Sequence, residues 1–161
     1  MPSAGSAKPG FVYGPVASRR LGFSLGVDIL PFKTCTLDCI YCQLGPSSRT
    51  TARRRAFFDP KAVLRQVKKA IAAGERIDHI TFSGSGEPTL NRSLGEIIRG
   101  IKKMTSIPVV VLTNGTLLYR PDVRRDLRLA DVVVPNLDAA TPRLFAAVNR
   151  PDKALRLDRM L

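Results

Sequence analysis

Cysteine is the residue type in this chain best suited to chemistry, because every cysteine falls within eight positions. Cys35, Cys39 and Cys42 occur in the run Cys-Thr-Leu-Asp-Cys-Ile-Tyr-Cys, and the rest of the 161 residues include no other cysteine. Three thiols cannot pair into disulfides without leaving one over, so the spacing indicates a group that acts together. The three side chains are therefore predicted to bind a shared metal centre.

Two kinds of centre are consistent with three thiolates. A structural zinc ion usually has four protein ligands, so it would need a fourth from elsewhere, and His79 is the single histidine of the chain. An iron–sulfur cluster bound by three thiolates would leave one iron atom without a protein ligand. That open position can bind a small molecule, as the open position of a catalytic zinc site does, and it is typical of an enzyme.

Composition is typical of a globular protein. A chain of 161 residues with 44% hydrophobic and 24% charged residues is predicted to form one domain with a buried core. The sequence has no long apolar run and no charged-then-apolar leader, so we expect a cytoplasmic protein with no membrane partner. A reducing compartment also suits free thiols and reduced clusters.

Charge is the second unusual property of the sequence. The chain has 26 Lys and Arg residues against 13 Asp and Glu residues, a net charge of +13. This excess favours a polyanionic partner such as RNA, although a basic surface that only maintains solubility is equally consistent. Arg49, Arg53, Arg54 and Arg55 lie within seven residues of one another and form either a solvated loop or a nucleic-acid contact.

Hydrophobic patterning predicts an α/β fold in which strands alternate with helices. Strands are predicted at residues 24–31, 79–83, 109–112 and 131–134, and helices are predicted to begin at Pro60, after Asn91 or Ser93, at Pro121 and at Pro142. Four successive strand–helix units predict a parallel sheet with right-handed crossovers, either open or bent toward a barrel. Residues 1–10 are predicted to be a mobile tail, and residues 11–161 are predicted to be the domain.

Polar motifs follow each of these strands. The cysteine loop, residues 35–42, follows the first strand, and the other motifs are Gly84-Ser85-Gly86-Glu87-Pro88, Thr113-Asn114-Gly115 and the segment from Asn136 to Asp138. Because sites in parallel α/β sheets lie beyond the carboxyl ends of the strands, we expect one site. Glycines let the backbone approach a ligand closely, and carbonyls with a carboxylate suit a cationic amine. Asparagine amides can bind hydroxyls or a carboxylate, so the set indicates an amino-acid-like ligand with hydroxyl groups.

Two of these motifs together resemble a known family. Cys35-x3-Cys39-x2-Cys42, with Tyr41 before the last cysteine, is similar to the cluster motif of the radical S-adenosylmethionine (SAM) superfamily. The glycine-rich run resembles the methionine-binding motif of the same superfamily. The resemblance implies a 4Fe–4S cluster whose unique iron is chelated by SAM, and an electron donor. It also implies reductive cleavage of SAM to methionine and a 5'-deoxyadenosyl radical that abstracts hydrogen from a substrate.

The resemblance also implies roles for individual residues. Cys35, Cys39 and Cys42 match the cluster ligands, Tyr41 matches an aromatic residue near the adenine, and Gly84, Ser85, Gly86 and Glu87 match the strip that receives the methionine amine. Thr113, Asn114, Asn136 and Asp138 fall where the family places further contacts to the methionine and ribose. No catalytic residue is assigned, because the reacting substrate is not identified.

Other segments resemble proteins related to wyosine-type tRNA-modifying enzymes. These segments are residues 13–22, residues 26–28 and Val148-Asn149-Arg150-Pro151. The tRNA enzymes carry extra cysteines for a second cluster, and this chain has none, which counts against assigning their reaction. Members of the superfamily have about six strand–helix units, so the four predicted here suggest a core without its C-terminal strands. A non-catalytic cluster-binding or electron-transfer protein is the alternative function.

Overall fold

The structure is a computed structural model that describes residues 10–46 and 50–160. Of the tail predicted for residues 1–10, only Gly10 falls within the described part, and Arg49 also lies outside it. The strands are β1 (Val12–Ser18), β2 (Gly22–Val27), β3 (His79–Phe82), β4 (Val109–Thr113) and β5 (Val132–Pro135), and the helices are α1 (Pro60–Ala72), α2 (Leu94–Met104), α3 (Pro121–Leu127) and α4 (Pro142–Asn149).

The strands form one sheet whose spatial order follows the chain order, from β1 to β5. Strands β2 to β5 are parallel, and each is followed by one of the four helices, which confirms the four predicted strand–helix units. Sequential order means that every crossover advances in the same direction, so right-handed crossovers place successive helices on one face. Helix α1 packs on α2, and α2 packs on α3. This α/β arrangement is that of a partial barrel rather than of a sheet wound on both faces.

Strand β1 is an element that the sequence patterning missed. It pairs antiparallel with β2, and its register shifts between Tyr13 and Val16. Gly14 and Pro15 lie at this irregularity and interrupt the alternation of apolar residues that would have indicated a strand. Proline is tolerated here because β1 is an edge strand, where one row of backbone groups needs no partner.

Two predicted boundaries were wrong. The strand predicted at residues 24–31 ends at Val27, because Ile29 and Leu30 are buried without pairing to another strand. The apolar residues of the segment 152–161 predict the start of a further helix, but within the described part of this segment the structure has only a short 3-10 helix at Leu157–Arg159. Pro60, Pro121 and Pro142 begin their helices as predicted.

The core lies between the sheet and the helices. Alternate residues of the strands point to this side, including Leu25, Val27, Ile80 and Phe82, which are at most 1% exposed. They belong to one hydrophobic cluster with apolar residues of α1 and α2. Within the described part of the chain, none of the helices combines the length and the hydrophobicity that crossing a membrane requires.

Arg54 is a buried charge that joins three parts of the fold. Its guanidinium donates to the carbonyl oxygens of Thr89 (2.7 Å) and Asn91 (3.1 Å), and it forms ion pairs with Asp122 (2.6 Å) and Asp126 (2.7 Å). The segment after the cysteine loop is thereby fixed to α3 and to the segment between β3 and α2. Removing one partner of such a pair is costly, because the other charges stay partly buried without compensation.

We expect Arg54→Met to destabilise the fold by about 3 kcal/mol, since it leaves two carboxylates and two carbonyls without their hydrogen-bond donor. The measurement is urea unfolding, with a lower midpoint and an unchanged slope. Lys102→Met is the matched control, because the Lys102–Asp131 pair is exposed and its loss should cost below about 1 kcal/mol. Equal costs for the two variants would contradict the anchoring role of Arg54.

Candidate functional site

The cysteine loop begins beyond the carboxyl end of β2, where the sequence predicted it. Cys35, Cys39 and Cys42 are free, half-buried thiols. The loop is shaped by tight turns, since the Cys42 amide donates to the Cys39 carbonyl at 3.1 Å and the Gly45 amide donates to the Cys42 carbonyl at 3.0 Å. Leu37 is buried and anchors the middle of the loop in the core. The thiols are therefore held on a fixed backbone that keeps them partly exposed.

The glycine strip, residues 84–87, runs beside the start of the cysteine loop. Thr34 and Gly86 form a parallel bridge, and the Glu87 amide donates to the Thr34 carbonyl at 3.1 Å. A Cβ atom on Gly86 would lie 1.8 Å from the Thr34 carbonyl oxygen, so only glycine fits at this contact. Gly84 has a φ of +138°, a conformation that side chains disfavour, and its position faces Asp28. The two motifs that the sequence singled out are thus in direct contact.

Glu87 is buried, at 2% exposure, and both of its carboxylate oxygens accept hydrogen bonds from the protein. Oε1 accepts from the Thr89 amide, the Thr89 hydroxyl and the Thr113 hydroxyl, and Oε2 accepts from the Asn114 amide at 2.7 Å. Burial raises the pKa of Glu87, and these donors oppose that shift. The side chain therefore joins the ends of β3 and β4, and what the strip presents outward is its backbone.

Asn114 connects the end of β4 to the cysteine loop. Its side-chain amide donates to the Thr36 hydroxyl at 2.8 Å and to the Cys35 sulfur at 3.6 Å, while its Oδ1 accepts from the Thr116 amide and hydroxyl. Thr113 is buried, and its hydroxyl is directed to Glu87. The predicted pair Thr113 and Asn114 is therefore at the site, with Asn114 next to the thiols.

The C-terminal end of α4 contacts the middle of the cysteine loop. The amides of Asp38 and Ile40 donate to the carbonyls of Asn149 (3.0 Å) and Val148 (2.9 Å). In the reverse direction, the Asp152 backbone amide donates to the Thr36 carbonyl at 2.9 Å. The side chain of Asn149 is 2% exposed, and its amide donates to the Cys39 sulfur at 3.3 Å. Residues 148–152 thus hold the middle of the loop, whereas the glycine strip contacts the residue just before it.

Tyr41, Asn136 and Asp138 form one hydrogen-bonded group at the end of β5. The Tyr41 hydroxyl donates to Asp138, which also accepts from Asn136 (2.7 Å) and from Asn149 (2.8 Å). Burial and the hydrogen bond to Asp138 raise the pKa of Tyr41. Burial would raise the pKa of Asp138, but its three donors lower it. Asp138 is therefore a carboxylate that fixes Tyr41 beside the cysteine loop.

Two thiols differ in their electrostatic surroundings. Burial raises the pKa of the Cys35 thiol to about 11. Burial would also raise the pKa of Cys42, but the hydrogen bond and positive charge of Lys33 outweigh it and lower that pKa. The Lys33 side chain is 8% exposed and lies 3.7 Å from Asp38. A cation of this kind stabilises negative charge on thiolate ligands.

His79 is at the opposite edge of the sheet, at the amino end of β3, and its Nδ1 contacts the Leu21 carbonyl at 2.7 Å. It is therefore not positioned as the fourth ligand that a zinc site would need. Among the described residues, no three His, Cys, Asp or Glu side chains converge on a position for a single metal ion. A cluster differs from a single ion in this respect, because each thiolate binds its own iron atom.

Three residues of the site escaped prediction from the sequence. Lys33 and Asn149 contact the thiols, and the Asp28 carboxylate accepts from the amide (2.9 Å) and hydroxyl of Ser85 in the glycine strip. Asp28 directly follows β2, so the rule that places sites beyond strand ends could have found it. Asn149 lies 110 positions from Cys39 at the end of a helix, and its only signal was the resemblance of the segment Val148-Asn149-Arg150-Pro151, which did not assign it to the thiols.

Comparison with known proteins agrees with this arrangement. A family model described as the Radical SAM superfamily matches residues 29–159, which include the cysteine loop, the glycine strip and the parallel strands β3, β4 and β5. The chain belongs to the radical SAM superfamily. Members of this superfamily generally bind a 4Fe–4S cluster and SAM.

Similar proteins include members with different names. A protein named GTPase Obg from Brachyspira hyodysenteriae is 45% identical over 93% of this chain and 22% of that protein. A UPF0026 protein of Synechocystis is 45% identical over 93% of this chain and 56% of that protein. A GTP 3',8-cyclase of Chlorobaculum tepidum is 31% identical over 91% of this chain and 44% of that enzyme. The chain thus spans about a fifth to just over half of these relatives.

The thiol site fits the cluster that radical SAM proteins bind. Three soft sulfur ligands lie in one loop, two of them accept a side-chain N–H, and a lysine lies beside the third. Hydrogen bonds to the sulfurs and nearby charge are the features by which proteins adjust such clusters.

We expect Gly86→Ala to weaken SAM binding at least about tenfold, because the added Cβ must push the strip away from Thr34 and so from the cysteine loop. The measurement is calorimetric titration of the anaerobically reconstituted protein. Gly74→Ala is the control, since its Cβ would meet nothing within 4 Å, and its φ of +77° should cost only about 1 kcal/mol of stability. Full SAM affinity in Gly86→Ala would show that the contact does not matter.

We expect Asn149→Ala to make the reduction potential of the bound cluster more negative, because an N–H donor to a ligand sulfur favours the reduced, more negative state. The measurement is a redox titration followed by electron paramagnetic resonance. Asn136→Ala is the control, since its amide bonds Asp138 and no sulfur. The same potential in wild type and Asn149→Ala would exclude this role for Asn149.

Proposed function

We propose that this chain binds a 4Fe–4S cluster through Cys35, Cys39 and Cys42 and reductively cleaves SAM to begin hydrogen abstraction from a substrate. The observation that carries the proposal is the contact between Thr34, which directly precedes the cysteine loop, and Gly86 of the glycine strip. A cluster and the amino acid end of SAM bound to these two segments would be neighbours. Proximity of this kind is what a reaction between two bound groups requires.

The methionine end of SAM is assigned to the glycine strip. The Gly84, Ser85 and Gly86 backbone offers carbonyl groups to the amine, since Glu87 already accepts four protein hydrogen bonds. Glu87, Thr113 and Asn114 then act by fixing the strip to the end of β4. Asp28 holds Ser85 from the other side, so the backbone of the strip is positioned before SAM arrives.

The adenosine end is assigned to the group around Asp138. Tyr41 is 54% exposed, and its ring offers a flat apolar surface for the adenine. Asn136 and Asp138 offer amide and carboxylate groups to the ribose hydroxyls. When bound, the cluster supplies one electron, taken from an external donor, that divides SAM into methionine and a 5'-deoxyadenosyl radical.

RNA is the substrate class that we propose, from the net charge of +13 and the resemblance to proteins related to tRNA-modifying enzymes. A nucleotide is the second candidate, because a relative 31% identical to this chain is named GTP 3',8-cyclase. Both candidates carry phosphate groups. A reducing cytoplasm suits the free thiols and the electron donor.

The test is anaerobic reconstitution with iron and sulfide, addition of dithionite and SAM, and quantitation of 5'-deoxyadenosine by chromatography. We expect 5'-deoxyadenosine from the wild-type chain and none from Cys39→Ala, which should also lose the visible absorption and the iron of the cluster. Gly74→Ala is the control, and it should retain both the cluster and the production of 5'-deoxyadenosine.

Two outcomes would contradict the proposal. An intact, reducible cluster without any 5'-deoxyadenosine would favour the electron-transfer alternative for this chain. A colourless protein with stoichiometric zinc would instead assign the thiols to a structural metal site.

A further inference from the structure

Among the described residues, only arginines line a cavity of about 400 Å³. The residues that line it are Arg53, Arg54, Arg55, Arg92 and Arg120. They come from three segments: the one after the cysteine loop, the turn before α2, and the start of α3. No sequence motif predicted that these segments meet.

Arg54 fixes the geometry of the cavity. Its side chain is 3% exposed and fully committed to Asp122, Asp126 and two carbonyls, whereas Arg53 and Arg55 on either side of it are exposed. This alternation is that of extended backbone, and the Arg55 and Asn91 backbones form a parallel bridge. The Arg92 amide donates to the Arg55 carbonyl at 3.0 Å, which places Arg92 beside Arg55.

Three of the five guanidinium groups have no carboxylate partner in the part of the chain that the structure describes. Arg54 and Arg120 are paired with Asp122, but among the described residues no acidic side chain lies within 4.0 Å of Arg53, Arg55 or Arg92. Asp122 and Asp126, which pair with the other two arginines, offset only part of the repulsion among these three guanidiniums. Arg55 is further oriented by Phe57, whose ring centroid is 5.2 Å from its guanidinium carbon. A group of guanidiniums without carboxylate partners favours an anionic ligand.

The cavity belongs to the edge of the sheet that carries the cysteine loop. The Thr51 amide donates to the Cys35 carbonyl at 3.0 Å, and Arg53 is two residues further along the chain. The Arg53 amide also donates to the Thr51 hydroxyl at 3.2 Å. A ligand bound in the cavity by one end would therefore extend over the same edge.

We propose that this arginine cavity binds the phosphate groups of the substrate, whether they belong to an RNA backbone or to a nucleotide. Planar guanidiniums pair bidentately with phosphate oxygens, and several of them in one cavity match the several charges of adjacent phosphates. Phosphate binding itself is independent of SAM cleavage; only the statement that the phosphates are those of the substrate rests on the proposed function.

The test compares two triple variants of the full chain by fluorescence anisotropy with a labelled single-stranded RNA. Arg53→Ser/Arg55→Ser/Arg92→Ser should weaken binding at least about tenfold near 0.1 M salt and lower the steepness of the log K against log salt plot by about 2, the value for three lost phosphate contacts. The control is Arg65→Ser/Arg99→Ser/Arg143→Ser, which removes the same charge from exposed helical positions outside the cavity. It should keep most of the affinity and the slope.

Competition experiments distinguish the sources of phosphate. Displacement of the RNA by pyrophosphate or GTP at similar phosphate concentration would assign the cavity to a nucleotide, and displacement only by unlabelled RNA would assign it to a nucleic acid. Either result supports phosphate binding. Equal losses in the two triple variants, or displacement by polyglutamate as effective as that by RNA, would overturn it.

The same variants separate this inference from the proposed function. The cavity variant should produce 5'-deoxyadenosine from SAM at the wild-type rate when no substrate is present, because among the described residues none of its three side chains forms a hydrogen bond or ion pair with the cysteine loop or the glycine strip. Loss of RNA binding with normal 5'-deoxyadenosine would support the cavity. Normal RNA binding in this variant would refute it whether or not SAM is cleaved.

Discussion

The close approach of Gly86 to the Thr34 carbonyl is the contact on which the geometry of the site depends. Strands β2 and β3 run parallel in register, with Val27 opposite Phe82, and the chain beyond both strands pairs once more at Thr34 and Gly86. Because a Cβ would lie 1.8 Å from that carbonyl, glycine is what brings the two loops into contact. The register of β2 and β3 therefore also determines the position of the loop that carries the thiols.

Buried polar side chains hold this contact in place. Glu87 accepts from both β4-end residues, and Asn149 donates to Cys39 and Asp138. Among the described residues that are not exposed, no buried side-chain nitrogen or oxygen lacks a partner. A fully satisfied network in a low-dielectric interior resists rearrangement, because each broken bond leaves a desolvated group. The side chains that hold the thiols and the glycine strip are thus fixed, whereas Tyr41 is exposed.

Local rules predicted much of this structure, and tertiary contacts explain what they missed. Proline and aspartate at helix starts and apolar runs in buried strands were enough to predict the fold. The rule that sites lie beyond strand ends correctly predicted that Cys35 and Asn114 lie at one edge. The same rules could not find β1, because Gly14 and Pro15 hide its pattern. They also treated Glu87 as a ligand-facing carboxylate, since sequence shows the residue type but not the four donors around it.

Arg54 shows why a charge run cannot be interpreted from sequence as one feature. Arg53, Arg54 and Arg55 are adjacent and chemically identical, yet the middle one is buried in ion pairs and its neighbours are exposed. Arg54 contributes to the stability of the fold. The free-energy cost of burying its charge is offset by Asp122 and Asp126, which also reduce the local positive charge. The side chains of Arg53 and Arg55 are exposed because they alternate with Arg54 along an extended backbone. Since the Thr51 amide donates to the Cys35 carbonyl, this segment is joined to the backbone that carries the thiols.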